Sequence, residues 1–158
     1  MFDFMKKKSF KIFSPFAGLC IPIEEVKDDV FSQKILGDGI GFKPTQGEVL
    51  SPVDGKIIQV VETSHALGIE TNNGIEILLH LGINTVSLKG EGFKVFVKEG
   101  DKVLRGQKIM EMDIDFVESK GFNTDSVLII TNGDNIKEFE KYPGEVIKGE
   151  TIVASVKL

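Results

Sequence analysis

The chain has 158 residues, the usual length of one domain, and at that size about 69% of the unfolded surface is buried on folding. Apolar residues make up 41% and charged residues 27%, which excludes intrinsic disorder. Lys plus Arg total 19 against 24 for Asp plus Glu, a net charge of −5, and Arg105 is the one arginine, so a nucleic-acid footprint and a bidentate phosphate clamp are both disfavoured.

The chain opens with Phe2, Phe4 and Met5, followed by Lys6, Lys7 and Lys8. Three lysines fall below the roughly 4–8 that mark lipid recognition, so residues 1–9 read as a mobile tail with weak or no membrane contact. No apolar run reaches the roughly 18 residues of a membrane span, and no secretory signal is present, so a cytoplasmic protein is expected. A single Cys20 cannot close an internal disulfide, and one Cys with two His cannot complete a four-ligand structural zinc site.

From residue 10 to 158 the chain reads as one domain. Its five prolines and 17 glycines separate short stretches rich in Val, Ile and Phe, the signature of a mostly β protein. Strands are predicted at Phe10 to Phe13, Leu19 to Ile23, Val49 to Leu50, Gly55 to Glu62, Ala66 to Thr71 and Ile75 to Leu81. Further strands are predicted at Val86 to Leu88, Phe93 to Val97, Lys108 to Met112, Val127 to Thr131 and Thr151 to Val156. Asp115 to Lys120, stopped by Gly121, is predicted as a short peripheral helix.

Two internal echoes bear on architecture. Ser14-Pro15-Phe16-Ala17-Gly18 resembles Ser51-Pro52-Val53-Asp54-Gly55, and residues 103–109 resemble residues 146–152. In each case a turn feeds a strand, which points to a sandwich or barrel with similar halves. Gly37-Asp38-Gly39-Ile40-Gly41 is not a dinucleotide fingerprint, because no helix pattern follows it.

Between two apolar alternations, Asn72-Asn73-Gly74 is a strong hairpin signal. If Asn72-Asn73 forms a two-residue loop, His65 stands opposite His80; if Asn73-Gly74 does, Leu67 stands opposite His80. Both registers put the two histidines on one sheet face with Leu67, Ile69 and Leu78, and only a bulge or an odd-length loop breaks the parity. Ile75, Ile77, Leu79 and Leu81 then point into the core. An apolar surround keeps an imidazole neutral, leaving a lone pair to attack or to bind a metal, while the second ring can orient the first.

At these residues the chain resembles the glucose-type enzyme IIA components of the bacterial phosphoenolpyruvate-dependent sugar phosphotransferase system. The stretch from Gly74 through His80 to Val86 is similar to that family's phosphohistidine signature, with further support at residues 34–40, 52–55, 62–66 and 89–93. The resemblance implies an all-β fold: an antiparallel sandwich or barrel of duplicated halves, with one or two short peripheral helices. It implies that His80 accepts a phosphoryl group from the histidine-containing phosphocarrier protein and passes it to a cysteine of a glucose-type IIB domain. His65 would bond the phosphoryl oxygens and Thr63 would steady the other nitrogen of His65. Val30, Phe31, Ile35, Leu36 and Leu78 would form an apolar ring where both partners dock, and other proteins would be regulatory targets. Asn84 stands where the family commonly has an aspartate, removing a negative charge from the rim. Leu78 and Val61 stand where some relatives carry phenylalanine. Cys20 matches no phosphorylation motif and reads as a packing residue.

Two other readings compete. Residues 97–112 resemble the turn and strand of biotinyl or lipoyl carrier domains, but Met110-Glu111-Met112-Asp113 offers no lysine at the turn. A zinc-dependent hydrolase would use His65 and His80 as ligands and would need a carboxylate from a partner. No cofactor is required for the transfer reading.

Overall fold

The protein is described by a computed structural model over residues 9–158; of the expected tail 1–9, residues 1–8 lie outside the described residues and Ser9 belongs to a strand instead. The strands are β1 (Ser9–Phe13), β2 (Gly18–Pro22), β3 (Gly39–Pro44), β4 (Glu48–Leu50), β5 (Gly55–Val60), β6 (Ala66–Thr71) and β7 (Glu76–His80). They continue as β8 (Phe93–Val95), β9 (Lys102–Val103), β10 (Lys108–Met112), β11 (Ser126–Ile130), β12 (Glu138–Lys141), β13 (Gly144–Val146) and β14 (Ile152–Lys157). Two short helices, α1 (Asp29–Ser32) and α2 (Ile114–Ser119), lie outside the sheets.

An eight-stranded sheet in the order β13-β2-β3-β11-β7-β6-β5-β9 is joined by two three-stranded sheets, β1-β14-β12 and β4-β10-β8. Neighbouring strands are antiparallel throughout. Alternation along the central strands sorts side chains to two faces. Ile40, Phe42, Leu67, Ile69, Ile77, Leu79 and Leu128 enter the main core with Ile12, Phe16, Ile109 and Met110. On the other face Ile21, Val127 and Ile129 form a smaller cluster with Ile23, Val26, Phe31 and Ile83, against which Leu78 packs.

The all-β expectation with internally similar halves is met, and the echoed segments interlock. Phe13 N–H donates to Pro52 O at 3.0 Å and Leu50 N–H donates to Pro15 O at 3.0 Å. Gly149 N–H reaches Ser14 O at 2.8 Å, while Gly106 N–H reaches Ser51 O at 2.9 Å. Inside each turn the buried serine hydroxyl donates two residues ahead, Ser14 to Phe16 O at 2.6 Å and Ser51 to Val53 O at 2.7 Å. Each bond thus has a counterpart in the other half.

Several elements differ from expectation. The glycine-rich segment before Pro44, given no strand from the sequence, forms β3, where a Cβ on Gly41 would lie 2.4 Å from Val26 Cγ2. Glycine there lets residues 23–26 lie directly on the sheet. Of the one or two short helices expected, α1 was not located in advance; Asp28 starts it, its carboxylate accepting from Val30 N–H at 2.9 Å and Phe31 N–H at 3.2 Å. β9, β12 and β13 are too short or too polar for alternation to reveal them. Val86 to Leu88 forms a 3-10 turn, Thr85–Leu88, in place of the predicted strand. Residues 108–112 form β10 between β4 and β8, and Asp113 caps α2 in place of a carrier-type hairpin tip.

The hairpin adopts neither expected register: Ala66 faces His80 and Leu67 faces Leu79. Thr71 N–H bonds Ile75 O at 2.8 Å, so Asn72, Asn73 and Gly74 make a three-residue loop with Gly74 at φ +85. The odd loop reverses the parity of β6. Leu67 and Ile69 therefore pack in the main core, and of the three expected apolar neighbours of His80 only Leu78 remains on its face. Ile75, Ile77, Leu79 and Leu81 are buried as expected.

Candidate functional site

The two histidines do meet, for a different reason from strand parity. His65 precedes β6 and follows Ser64 at φ +61, so strand alternation does not set its direction. Its carbonyl accepts from Leu81 N–H at 2.8 Å, which ties it to the end of β7. The rings of His65 and His80 lie 4.8 Å apart, nearly perpendicular at 83°. His65 is buried and His80, the last residue of β7, is half-buried.

The hydrogen bonds of His80 fix its chemistry. Nδ1 is 3.0 Å from the carbonyl oxygen of Gly82. A carbonyl can only accept, so Nδ1 carries the proton and Nε2 keeps its lone pair. Thr63 Oγ1 lies 2.8 Å from His65 Nδ1. Burial pushes His80 down to about 4, aided by the neighbouring His65 and opposed by the Gly82 carbonyl and the Asp28 carboxylate. Burial also lowers His65, against the backbone of Thr63. Both rings are thereby kept from the imidazolium form at neutral pH.

Phe31 packs its ring 5.0 Å from His80 and Phe93 lies 6.3 Å from His65. Of the expected apolar ring, Phe31 is buried under α1 and touches His80 directly, whereas Val30, Ile35 and Leu36 are 42%, 65% and 45% exposed. Leu78 is half-buried. Asn84 is exposed at φ +59, a left-handed conformation asparagine tolerates, and opens the turn that carries exposed Val86. The rim is charged: Lys34 pairs with Glu24 at 3.1 Å and with Asp38 at 3.6 Å.

Sequence reasoning missed Asp28, which caps α1 and whose carboxylate acts on His80. The signal for Asp28 was an acidic residue three positions before Phe31, a helix-start pattern too short to stand out. Burial pushes the Cys20 thiol up to about 11 in the core, in keeping with a packing residue. Among the described residues no group of three or more His, Cys, Asp and Glu converges, so a zinc ion would find two imidazoles here and need its third ligand from a partner. A cavity of about 810 Å³ lined by Leu19, Lys43, Glu145 and Ile147 contains neither histidine; the chemistry is located by the imidazoles, not by cavity size. No helix among the described residues is long and apolar enough to cross a membrane.

Residues 10–136 match the family described as phosphoenolpyruvate-dependent sugar phosphotransferase system, EIIA 1. The chain is 44% identical over 150 residues to the PTS system glucose-specific EIIA component of Oceanobacillus iheyensis, covering 94% of this chain and 91% of that protein. It is 40% identical over 154 residues to the protein of the same name from Buchnera aphidicola, covering 98% and 96%. Among solved structures, the glucose permease IIA from Mycoplasma capricolum superposes with a TM-score of 0.86 at 37% identity, over 94% of this chain and 96% of that one. A facing pair of neutral imidazoles on this fold therefore sits in a chain that belongs to the EIIA 1 family of the phosphoenolpyruvate-dependent sugar phosphotransferase system.

Proposed function

We propose that this EIIA component carries the phosphoryl group on Nε2 of His80, taking it from the histidine-containing phosphocarrier protein and giving it to a cysteine of a glucose-type IIB domain. The observation that carries the reading is the His80 Nδ1 contact with the Gly82 carbonyl, which leaves Nε2 unprotonated beside a second imidazole. The Nε2 lone pair forms a bond to phosphorus as the donor's nitrogen–phosphorus bond breaks, its electron pair returning to the donor ring. The phosphorylated ring gains positive character, and the Gly82 carbonyl steadies the Nδ1 proton that stays behind. In the second step the cysteine thiolate forms the new bond to phosphorus and the electron pair of the broken bond returns to Nε2. Positioning and charge stabilisation carry such a transfer.

His65 serves as the helper. With the Thr63 hydroxyl donating to Nδ1, the Nε2 proton of His65 points a hydrogen bond at the phosphoryl oxygens. Val30, Ile35, Leu36 and Leu78 form the contact surface for both partners, and Asn84 presents a neutral amide at its rim. An apolar patch with a charged border suits short-lived complexes with two different proteins. Regulatory proteins that read the charge state of His80 would use the same surface.

The test is incubation with phosphoenolpyruvate, enzyme I and the histidine phosphocarrier, followed by mapping of acid-labile label. Label falls on His80 and disappears in His80→Ala. Label retained in His80→Ala would reject the assignment.

A further inference from the structure

Gly82 is held from four directions. Its φ of +76 and a clearance of 2.4 Å from a would-be Cβ to Thr85 Cγ2 require glycine. In the peptide group preceding it, the Leu81 carbonyl accepts from Thr85 Oγ1 at 2.5 Å and the Gly82 N–H donates to Ser126 Oγ at 3.2 Å. In the peptide group following it, the Ile83 N–H donates to Asn123 O at 2.9 Å while the Gly82 carbonyl meets His80 Nδ1. Ser126 passes its own hydrogen to Thr124 O at 3.0 Å. Thr85 and Ser126 are both completely buried, so each hydroxyl has a defined partner and no competing water.

A peptide group tied at both its N–H and its C=O cannot rotate without losing a buried hydrogen bond. Rotation at Gly82 would take the acceptor away from His80 Nδ1 and allow the other tautomer, whose Nε2 bears a proton and cannot attack phosphorus. Building on the transfer reading above, we infer that Thr85 and Ser126 are positioning residues for His80, clamping the Gly82 backbone so that its carbonyl selects the Nδ1–H tautomer. Neither residue touches the reacting atoms; both act through Gly82.

The test is ring ¹⁵N NMR of His80 in the full chain, with the rate of phosphoryl acceptance from the phosphorylated phosphocarrier. Thr85→Val keeps the shape and removes the hydroxyl, and Ser126→Ala does the same at the second position. In either variant His80 becomes a mixture of tautomers and acceptance slows by about tenfold, inside the range that misplacement of a reacting group costs. Thr85→Ser restores both readouts. A folded Thr85→Val protein with the wild-type tautomer overturns the inference, whether or not its rate has changed. If Ser126→Ala does not fold, the isosteric Thr85→Val decides alone. Absence of label on wild-type His80 would sink the transfer reading instead, and the ring shifts would still report on the clamp.

Discussion

Burial keeps His80 neutral, and the same burial makes the fold sensitive to acid. A histidine at its ordinary value near 6.5 in the unfolded chain binds a proton well before folded His80, which waits until about 4. Between those values the unfolded state binds more protons, so stability falls as pH drops from about 6.5 through 4 and is fully present above 6.5. At about 1.4 kcal/mol per pH unit that interval corresponds to on the order of 3 kcal/mol. His65 adds to it in the same direction. Denaturant melts of His80→Gln across this range are expected to show a flatter profile than the wild type. In His65→Gln, His80 is still expected to charge, while delivery to the IIB cysteine slows by about 100-fold, the scale of losing one stabilising donor. Unchanged delivery would remove the helper role. At this scale the sequence singled out the two residues that the structure brings together, because they are the two histidines of the chain. It did not show why they meet: the odd loop through Gly74 removes the strand parity that would have paired them, and His65 reaches His80 because Ser64 at positive φ turns it before β6 begins.

The element that shapes the surface is α1, led in by residues 23–26, which lie on glycine-bearing β3. Gly41→Ala places a methyl 2.4 Å from Val26 Cγ2 and 2.9 Å from Ile21 Cγ1. The segment leading to α1 must lift, and a loss of about 1–3 kcal/mol in denaturant unfolding is expected. Ile35→Asp works in the opposite sense, since Ile35 is mostly exposed and its replacement leaves the melt within about 0.5 kcal/mol. It is expected to weaken phosphocarrier binding by roughly tenfold in titration calorimetry, as loss of an apolar anchor does. Strands with clear alternation, such as β6 and β7, were legible in the sequence. β3 was not, because Gly41 serves packing against Ile21 and Val26 and Gly39 the close approach of the Leu128 carbonyl, while both imitate a loop composition. The turn after His80 was mistaken for a strand because Val86-Ser87-Leu88 carries strand-like residues on a backbone committed to the left-handed conformation at Asn84 and Lys89.

Across the whole molecule, repetition in the sequence corresponds to reciprocal hydrogen bonds between halves. Ser14 and Ser51 are buried equivalents with the same side-chain to backbone bond. Removing either hydroxyl orphans a buried carbonyl, so Ser14→Ala and Ser51→Ala are each expected to cost about 1–3 kcal/mol by chemical denaturation. Neither serine contributes a side chain to the histidine site, so acceptance of phosphate should be unchanged in both. This duplicated frame was legible from the paired Ser-Pro turns, whereas the strand order was not, because pairing between distant segments such as β2, β3 and β11 leaves no local trace.

The claim that joins these scales is an uncharged His80 whose Nδ1 proton is occupied by Gly82 and whose Nε2 is free for phosphorus. It is tested most directly by ¹⁵N–³¹P correlation on the protein charged from its phosphocarrier. The account predicts phosphorus bonded to Nε2 of His80, with Nδ1 still protonated. Phosphorus on Nδ1, or on any other residue, would contradict it.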